Sequence, residues 1–454
     1  MGDAGREGSE VSTKRKQKAR KLATLCAVLA ATTACGSPAM LPLEDGIGPN
    51  PKLPPPEKAL IPLVNVVDAR GWLKGGKPYA AATGTTVNAF ATGLRHPRWL
   101  YVLPNGDVLV AETNAPPRPE AKGIKGFFVG VLQKKAGGAV PSANRITLLR
   151  DADGDGVADL RTPFIIGLAS PFGMTLVGNT FYVANADALV RFPYTLGATR
   201  ITAAPVKVTE LPGGPLNHHW TKSLIASPDG SRLYVGVGSN SNVAENGMDQ
   251  EVERAAVLEI NPRTGSRRIF ASGLRNPVGL TWIPETGALW VAVNERDELG
   301  SDLVPDYMTS VRDGGFYGWP YSYYGDHVDA RVNPPRPDLV AKAIVPDYAL
   351  GAHTASLGLT YAKGTSLPAE IDGGVFVGQH GSWNRSPRSG YKVIFVPFTG
   401  GKPSGKPIDV LTGFVKPNGD AMGRPVGVAI DRRGALLVAD DVGNTVWRVA
   451  GSNR

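Results

Sequence analysis

Short apolar runs recur along this chain at strand-like length, and the same kind of turn introduces each of them. A Gly-Leu-x-x-Pro segment or its equivalent opens the unit. An alternating stretch follows, a Pro/Asp-x-Gly turn reverses the chain, and a Val/Leu-rich run completes it. The copies read Gly93-Leu94-Arg95-His96-Pro97 to Leu109-Val110-Ala111-Glu112, Gly167-Leu168-Ala169-Ser170-Pro171 to Phe181-Tyr182-Val183-Ala184, and His219-Trp220-Thr221 to Leu233-Tyr234-Val235-Gly236. They continue as Gly273-Leu274-Arg275-Asn276-Pro277 to Leu289-Trp290-Val291-Ala292, Leu357-Gly358-Leu359 to Val375-Phe376-Val377-Gly378, and Gly423-Arg424-Pro425 to Leu436-Leu437-Val438-Ala439. Runs of this length bounded by Gly and Pro are strand signals, and helix-period runs are nearly absent after residue 85. Six copies of one unit, none able to bury its apolar face alone, predict a closed ring. The expected fold is all-β, a six-bladed β-propeller over residues 86–451 with an insert at 114–144, and function is expected where the blade-start loops meet at the axis.

Composition agrees with a packed domain: 42% hydrophobic and 20% charged residues argue against disorder. The 56 glycines and 38 prolines fall at turns without a collagen-like period. Of the net charge of +9, residues 1–35 carry +4 (seven Lys/Arg against Asp3, Glu7 and Glu10), which leaves +5 spread over the rest. That is no nucleic-acid footprint.

The N-terminus carries its own pattern. Lys14 to Lys21 is a basic stretch, and Leu22 to Ala34 is an apolar run of thirteen residues, too short to span a bilayer and suited to an export signal. It ends Thr32-Thr33-Ala34-Cys35-Gly36-Ser37, which resembles a bacterial lipobox, although Thr32 stands where Leu is usual. Cys26 and Cys35 are the only cysteines, so no internal disulfide is available after cleavage, and Cys35 is the expected acylated residue. Residues 1–34 are thus assigned as a lipoprotein-type signal peptide. The Pro-rich stretch 35–85 is assigned as an extended tether between the membrane surface and the domain. An exported protein of the bacterial envelope or periplasm, anchored by lipid, is the expectation; plain signal cleavage near Ala34 is the alternative.

Candidate chemistry lies in loops. Five of the six histidines, His96, His218, His219, His353 and His380, sit at blade starts or in loops that can reach the axis. Asp151, Asp153, Asp155 and Asp159 in Asp151-Ala-Asp153-Gly-Asp155-Gly156 follow a calcium-loop spacing with glycine at the sixth position. Thr162 occupies the twelfth position, where an EF-hand needs Glu, so a structural calcium clip is expected. Within the insert, Ile124, Phe127, Phe128, Val131 and Leu132 keep helical spacing between flanking lysines, which suits a membrane-surface helix, an electron-acceptor dock or a capping helix.

Three segments together carry a family resemblance: Leu211 to Asn242 with Asn217-His218-His219-Trp220-Thr221, Arg275-Asn276-Pro277, and Gly314-Gly-Phe-Tyr-Gly-Trp-Pro320. Over roughly residues 86–450 the chain resembles the six-bladed pyrroloquinoline quinone (PQQ) sugar dehydrogenases, most closely the sorbosone dehydrogenase branch. The resemblance implies PQQ and Ca2+ as cofactors, and oxidation of a sugar or sugar aldehyde by hydride transfer to the quinone. It implies an electron acceptor that is a membrane quinone or a soluble carrier. His219 takes the general-base position, with His218 one residue away in register. Arg275 and Asn276 take the positions facing the quinone oxygens. For a tricarboxylate cofactor, Arg424, Arg385, Trp383 and His353 are further candidates; the soluble glucose enzymes carry a lysine near Arg385. Asp306, with Asp302 and Asp297, takes the place of the cofactor-linked calcium ligands. Two rivals remain: a propeller that serves as a cofactor-free binding module, and a calcium-dependent lactonase-type hydrolase. PQQ retention separates the first, and calcium deep in the channel without an arginine cluster marks the second.

Overall fold

The computed structural model describes residues 36–57, 59, 63–117 and 130–452. Their six larger sheets, antiparallel but for the parallel pairing of Gly315–Phe316 with Arg267–Ser272, are arranged as a six-bladed β-propeller. The innermost strands, in blade order, are Pro97–Val102, Met174–Val177, Lys222–Ala226, Asn276–Ile283, Ser356–Ala362 and Pro425–Ile430. Each is followed by the apolar run read from the sequence, now the second strand: Val108–Glu112, Thr180–Ala184, Leu233–Val237, Ala288–Asn294, Gly374–Gln379 and Leu436–Asp440. These second strands are covered on both faces by neighbouring blades. That is why they read as continuous hydrophobic runs rather than alternating ones.

Blade-to-blade packing at the axis is close enough to require glycine. A Cβ on Gly236 would lie 2.5 Å from Pro277 O, one on Gly279 2.6 Å from Leu359 N, and one on Gly427 2.8 Å from Arg98 O. The ring is closed by its own ends. Thr85–Ala91 pairs antiparallel with Thr445–Gly451 as the outer strand of blade 6, with Val87 opposite Val449.

The expected tether is instead a strap bound to the propeller. Ile47–Gly48 adds an antiparallel strand to blade 4 beside Tyr348–Ala352, Tyr79–Ala80 adds one to blade 5, and Asp68–Ala69 pairs with Asp420–Ala421. Val67 is buried, and Trp72 packs edge-on against Phe414 and Trp447 while donating its Nε1–H to Asp440 at 2.7 Å. Proline keeps this segment extended, and several of its backbone donors reach blade carbonyls, among them Ala39 N to Ser386 O, Asn65 N to Trp383 O and Ala81 N to Val410 O.

The insert interrupts blade 1, between Val108–Glu112 and Arg145–Arg150, rather than separating two repeats. Residues 130–135 are helical and Val131 is exposed; Ile124, Phe127 and Phe128 lie outside the described residues, as does Cys35. Among the described residues no helix is long and apolar enough to cross a membrane.

Candidate active site

Loops that precede the inner strands, and loops that join second to third strands, gather on one face around the axis. His219 and Asn276 meet there across Gly238, where an added Cβ would collide with both side chains. His219 Nδ1 lies 2.7 Å from Ser239 O and 3.1 Å from Ser239 Oγ. Ser239 Oγ donates its own proton to Ser241 O at 2.6 Å, so Nδ1 carries the ring proton toward Ser239 and Nε2 carries the lone pair. His218 is exposed, its ring 4.7 Å from that of His219.

The loop bearing His219 rests on a buried cation that sequence reading missed. Arg254 donates to Gly213 O (2.8 Å), Pro212 O (3.1 Å), Asn217 Oδ1 (3.1 Å) and Gly238 O (3.3 Å). Lys222 is wholly buried beside it, with Nζ 3.0 Å from Trp220 O. Burial, then the neighbouring Arg254 charge, pushes its ammonium well below the usual lysine range.

Arg275 and His353 converge on Asp297. Arg275 Nη2 is 3.2 Å from Asp297 Oδ2 and Nη1 donates to Glu295 O at 2.6 Å; His353 Nδ1 is 3.6 Å from Asp297 Oδ1 and Nε2 is 2.9 Å from Gly300 O. Burial disfavours charge on both members of the Asp297–His353 pair. Their mutual attraction, joined by Arg275, outweighs it, so Asp297 is held below the carboxylate range and His353 above the imidazole range. His353 keeps left-handed backbone at φ 57°, a conformation non-glycine residues hold only where their surroundings fix it.

Across blades 5, 6 and 1 lies a second buried cluster, in which Arg98 and Asp441, unforeseen in the sequence, join the expected His96 and His380. Asp441 Oδ2 receives Arg98 Nη1 (2.6 Å) and His380 Nε2 (2.9 Å), with His96 Nε2 at 3.6 Å. Burial, together with the neighbouring arginines, lowers His96 to about 4 and His380 to about 3, leaving both rings neutral at neutral pH. Arg424 stands beside them, donating to His380 O (2.9 Å) and Gly381 O (3.0 Å) with its guanidinium 5.5 Å from the Tyr391 ring centre. It makes no ion pair with any described carboxylate.

The calcium expectation at Asp297, Asp302 and Asp306 is corrected by these partners. Asp302 accepts from Met40 N and Leu41 N of the strap and pairs with Arg385. Asp306 accepts from Ser356 N (2.8 Å), Glu295 N (2.9 Å), Thr354 Oγ1 (3.1 Å) and Asn294 Nδ2 (3.4 Å), and burial pushes its carboxyl up to about 6. The three carboxylates therefore serve separate structural contacts and do not converge into a cation cage. Asp151, Asp153 and Asp159 do converge, within 4.8 Å of one another; Asp155 instead accepts from Val157 N, and Arg433 Nη1 reaches Asp151 at 3.3 Å. Arg385 is spent on Ser301 O, Pro387 O and Asp302, and Trp383 is 40% exposed on the surface, which leaves neither poised as read.

The TrAA12-like family description matches residues 79–307 and 339–452. The chain belongs to that family. Solved structures similar to it include a Trichoderma reesei carbohydrate-active enzyme of family AA12 (18% identity, TM-score 0.66, covering 83% of this chain and 98% of that one). Another is the holo PQQ domain of pyranose dehydrogenase from Coprinopsis cinerea (20%, TM-score 0.64, 82% and 96%). At such identities the likeness establishes the fold. By sequence, an uncharacterized protein of Borreliella burgdorferi is 30% identical over 247 residues, and the PQQ-dependent pyranose dehydrogenase of Coprinopsis cinerea 25% over 230. The chain spans 62% and 30% of those relatives' own lengths. The propeller and the family resemblance read from the sequence are thereby borne out.

Proposed function

We propose that this chain is a PQQ-dependent dehydrogenase that oxidises a sugar or sugar aldehyde, sorbosone or an aldose among the candidates. The observation that carries the reading is His219, locked by Ser239 in the tautomer that presents a basic Nε2, meeting Asn276 across Gly238. Two further features fit a flat, anionic quinone. Arg424 has only carbonyl partners and the Tyr391 ring, so its charge is not neutralised by a described carboxylate. Asn276 Nδ2, whose described bond to Asn294 Oδ1 is long at 3.5 Å, is a donor of the kind a quinone oxygen needs.

Asn276 and Arg424 would hold PQQ, which supplies a two-electron acceptor for hydride when bound; the Arg275 guanidinium, spent on Asn242, Glu295 O and Asp297, would act on it through its charge. His219 Nε2 would take the substrate hydroxyl proton, and Ser239 O would stabilise the resulting imidazolium through Nδ1–H. Asp297 and His353 fix the Arg275 guanidinium and so prevent it from following the substrate. The lactonase alternative would need carboxylates converging on a calcium at the axis, and Asp297, Asp302 and Asp306 do not converge. Titrating PQQ into the protein and following its absorbance, then assaying aldoses and sorbosone with an acceptor dye, tests the reading. Absence of PQQ uptake would leave the binding-module alternative standing.

The export and lipid-anchor assignment belongs to the same proposal. Cys35→Ser should move the protein from the membrane fraction to the soluble fraction, with electrons otherwise passing to a membrane quinone or soluble carrier.

A further inference from the structure

A cavity of about 610 Å3 lies between the N-terminal strap and the loops of blades 4 and 5. Glu57 of the strap, Glu298, Tyr323, Asp329 and Arg331 of blade 4, and Asn384 of blade 5 line it. Much of this wall is not part of the shared family frame. The strap precedes residue 79, and residues 323–331 fall in the gap between the matched segments 79–307 and 339–452. Family-matched Glu298 and Asn384 complete it. This chain has therefore walled in a chamber beside the common site, with segments of its own.

We propose that this chamber binds the further rings of a neutral oligosaccharide whose reducing end is oxidised at the axis; this rests on the dehydrogenase reading above. Asn384 is 6% exposed. Its Nδ2 donates to Asp297 Oδ1 at 2.9 Å, while its Oδ1 is buried without a partner, an acceptor awaiting a hydroxyl donor. The charged lining is rich in acceptors: Glu57 and Glu298 carry carboxylates with no described ion pair, while Asp329 is matched by Arg331 and the buried Arg296. Arg331 is already engaged with Asp329 through Nε (2.9 Å) and Nη2 (2.7 Å) and with Asp297 O through Nη1 (2.9 Å). Such a wall accepts from sugar hydroxyls and repels carboxylates and phosphates, so it selects neutral over acidic sugars. The volume is that of a small-molecule site with room for more than one pyranose ring. Asn384 also joins the chamber to the chemistry, because the Asp297 it holds is the partner of Arg275.

Calorimetric titration of the PQQ-free protein with cellobiose, maltose and lactose, and with glucuronate as the acidic control, tests the proposal. At least one neutral disaccharide should bind, and it should bind tenfold or more tightly than glucuronate. Glu57→Ala/Glu298→Ala should weaken that binding tenfold or more. Because Glu57 also receives Ser37 N of the strap, Ala330→Trp provides a second test: it fills the chamber without removing a hydrogen-bonding side chain. It should abolish disaccharide binding and leave the melting temperature, PQQ uptake and monosaccharide turnover unchanged. Failure of all three disaccharides to bind, glucuronate binding as tightly, or affinity indifferent to both variants overturns the chamber. If the disaccharide binds and responds to both variants but PQQ-loaded protein oxidises no sugar, the chamber stands and the dehydrogenase reading falls.

Discussion

Arg254→Met should unseat the proposed base without touching it. The guanidinium ties Pro212 O, Gly213 O and Asn217 Oδ1, on the approach to His219, to Gly238 O, the residue between His219 and Asn276. Methionine fills much of the space and donates nothing. Asn217 Oδ1 keeps Lys222 Nζ at 3.4 Å, so the loss falls on three carbonyls. Of these only Gly238 O is fully buried; at about 1 kcal/mol for it and less for half-buried Pro212 O and Gly213 O, the variant loses about 1–2 kcal/mol of stability. Relief of the Lys222–Arg254 repulsion offsets part of this, and the urea midpoint at unchanged slope reads the remainder. The catalytic effect is separate. Freeing the two segments that fix His219 lets the imidazole drift, and a displacement of about 1 Å costs roughly a hundredfold in rate. Turnover of PQQ-loaded protein with its best sugar should fall by about that factor, with PQQ affinity retained and the shape of the pH–rate profile preserved. Arg254→Lys, whose single ammonium lacks the fork, should fall between the two. A variant that loses the expected stability yet keeps wild-type turnover would show that the clamp supports the fold and not the base.

His219→Gln should lower PQQ-dependent turnover by about 10²- to 10⁴-fold with cofactor uptake intact, and exposed His218→Ala should do much less; dye-coupled assays of both decide the register. His353 is raised in the folded state, so its contribution to stability is complete below the unfolded histidine value of about 6.5 and is lost as pH rises through the folded value. Asp297 is lowered, so its contribution is present above the unfolded carboxyl value and is lost as pH falls through the folded one. Urea midpoints across pH should show both limbs, and His353→Gln should remove the alkaline one. Calcium should raise the melting temperature of the wild type but not of Asp151→Asn, because Asp151, Asp153 and Asp159 alone among the described acidic groups converge.

The ring was legible because burial on both faces writes each second strand as an unbroken apolar run, as in Leu109-Val110-Ala111, and because Gly and Pro mark the reversals. Local pattern could not foresee that Val67 and Trp72 would find partners on blades hundreds of residues away, so a Pro-rich strap looked like a tether. Nor could carboxylate spacing reveal that Met40, Leu41 and Arg385 claim Asp302. His96, Arg98, His380 and Asp441 come from distant positions and form no motif. A signal was nonetheless present. A polar residue directly follows the four- or three-residue apolar run in several blades, as Glu112, Gln379 and Asp440, and these residues are buried at the axial face. Arg254 has no comparable sequence mark, since all its acceptors but one are backbone carbonyls.

Closure of blade 6 by Thr85–Ala91 against Thr445–Gly451 also sets the order of events during synthesis. A ribosome delivers the first of these strands long before the second. Joining ends separated by most of the chain costs about 5 kcal/mol of loop-closure entropy, met in a single final step. Until then the nascent chain is an open arc with an unpaired strand at each end, the state in which edge-to-edge association competes with folding. Thr445–Gly451 thus decides whether the open arc closes into a ring or is left to associate, so loss of that strand should harm folding more than a mutation at the axis.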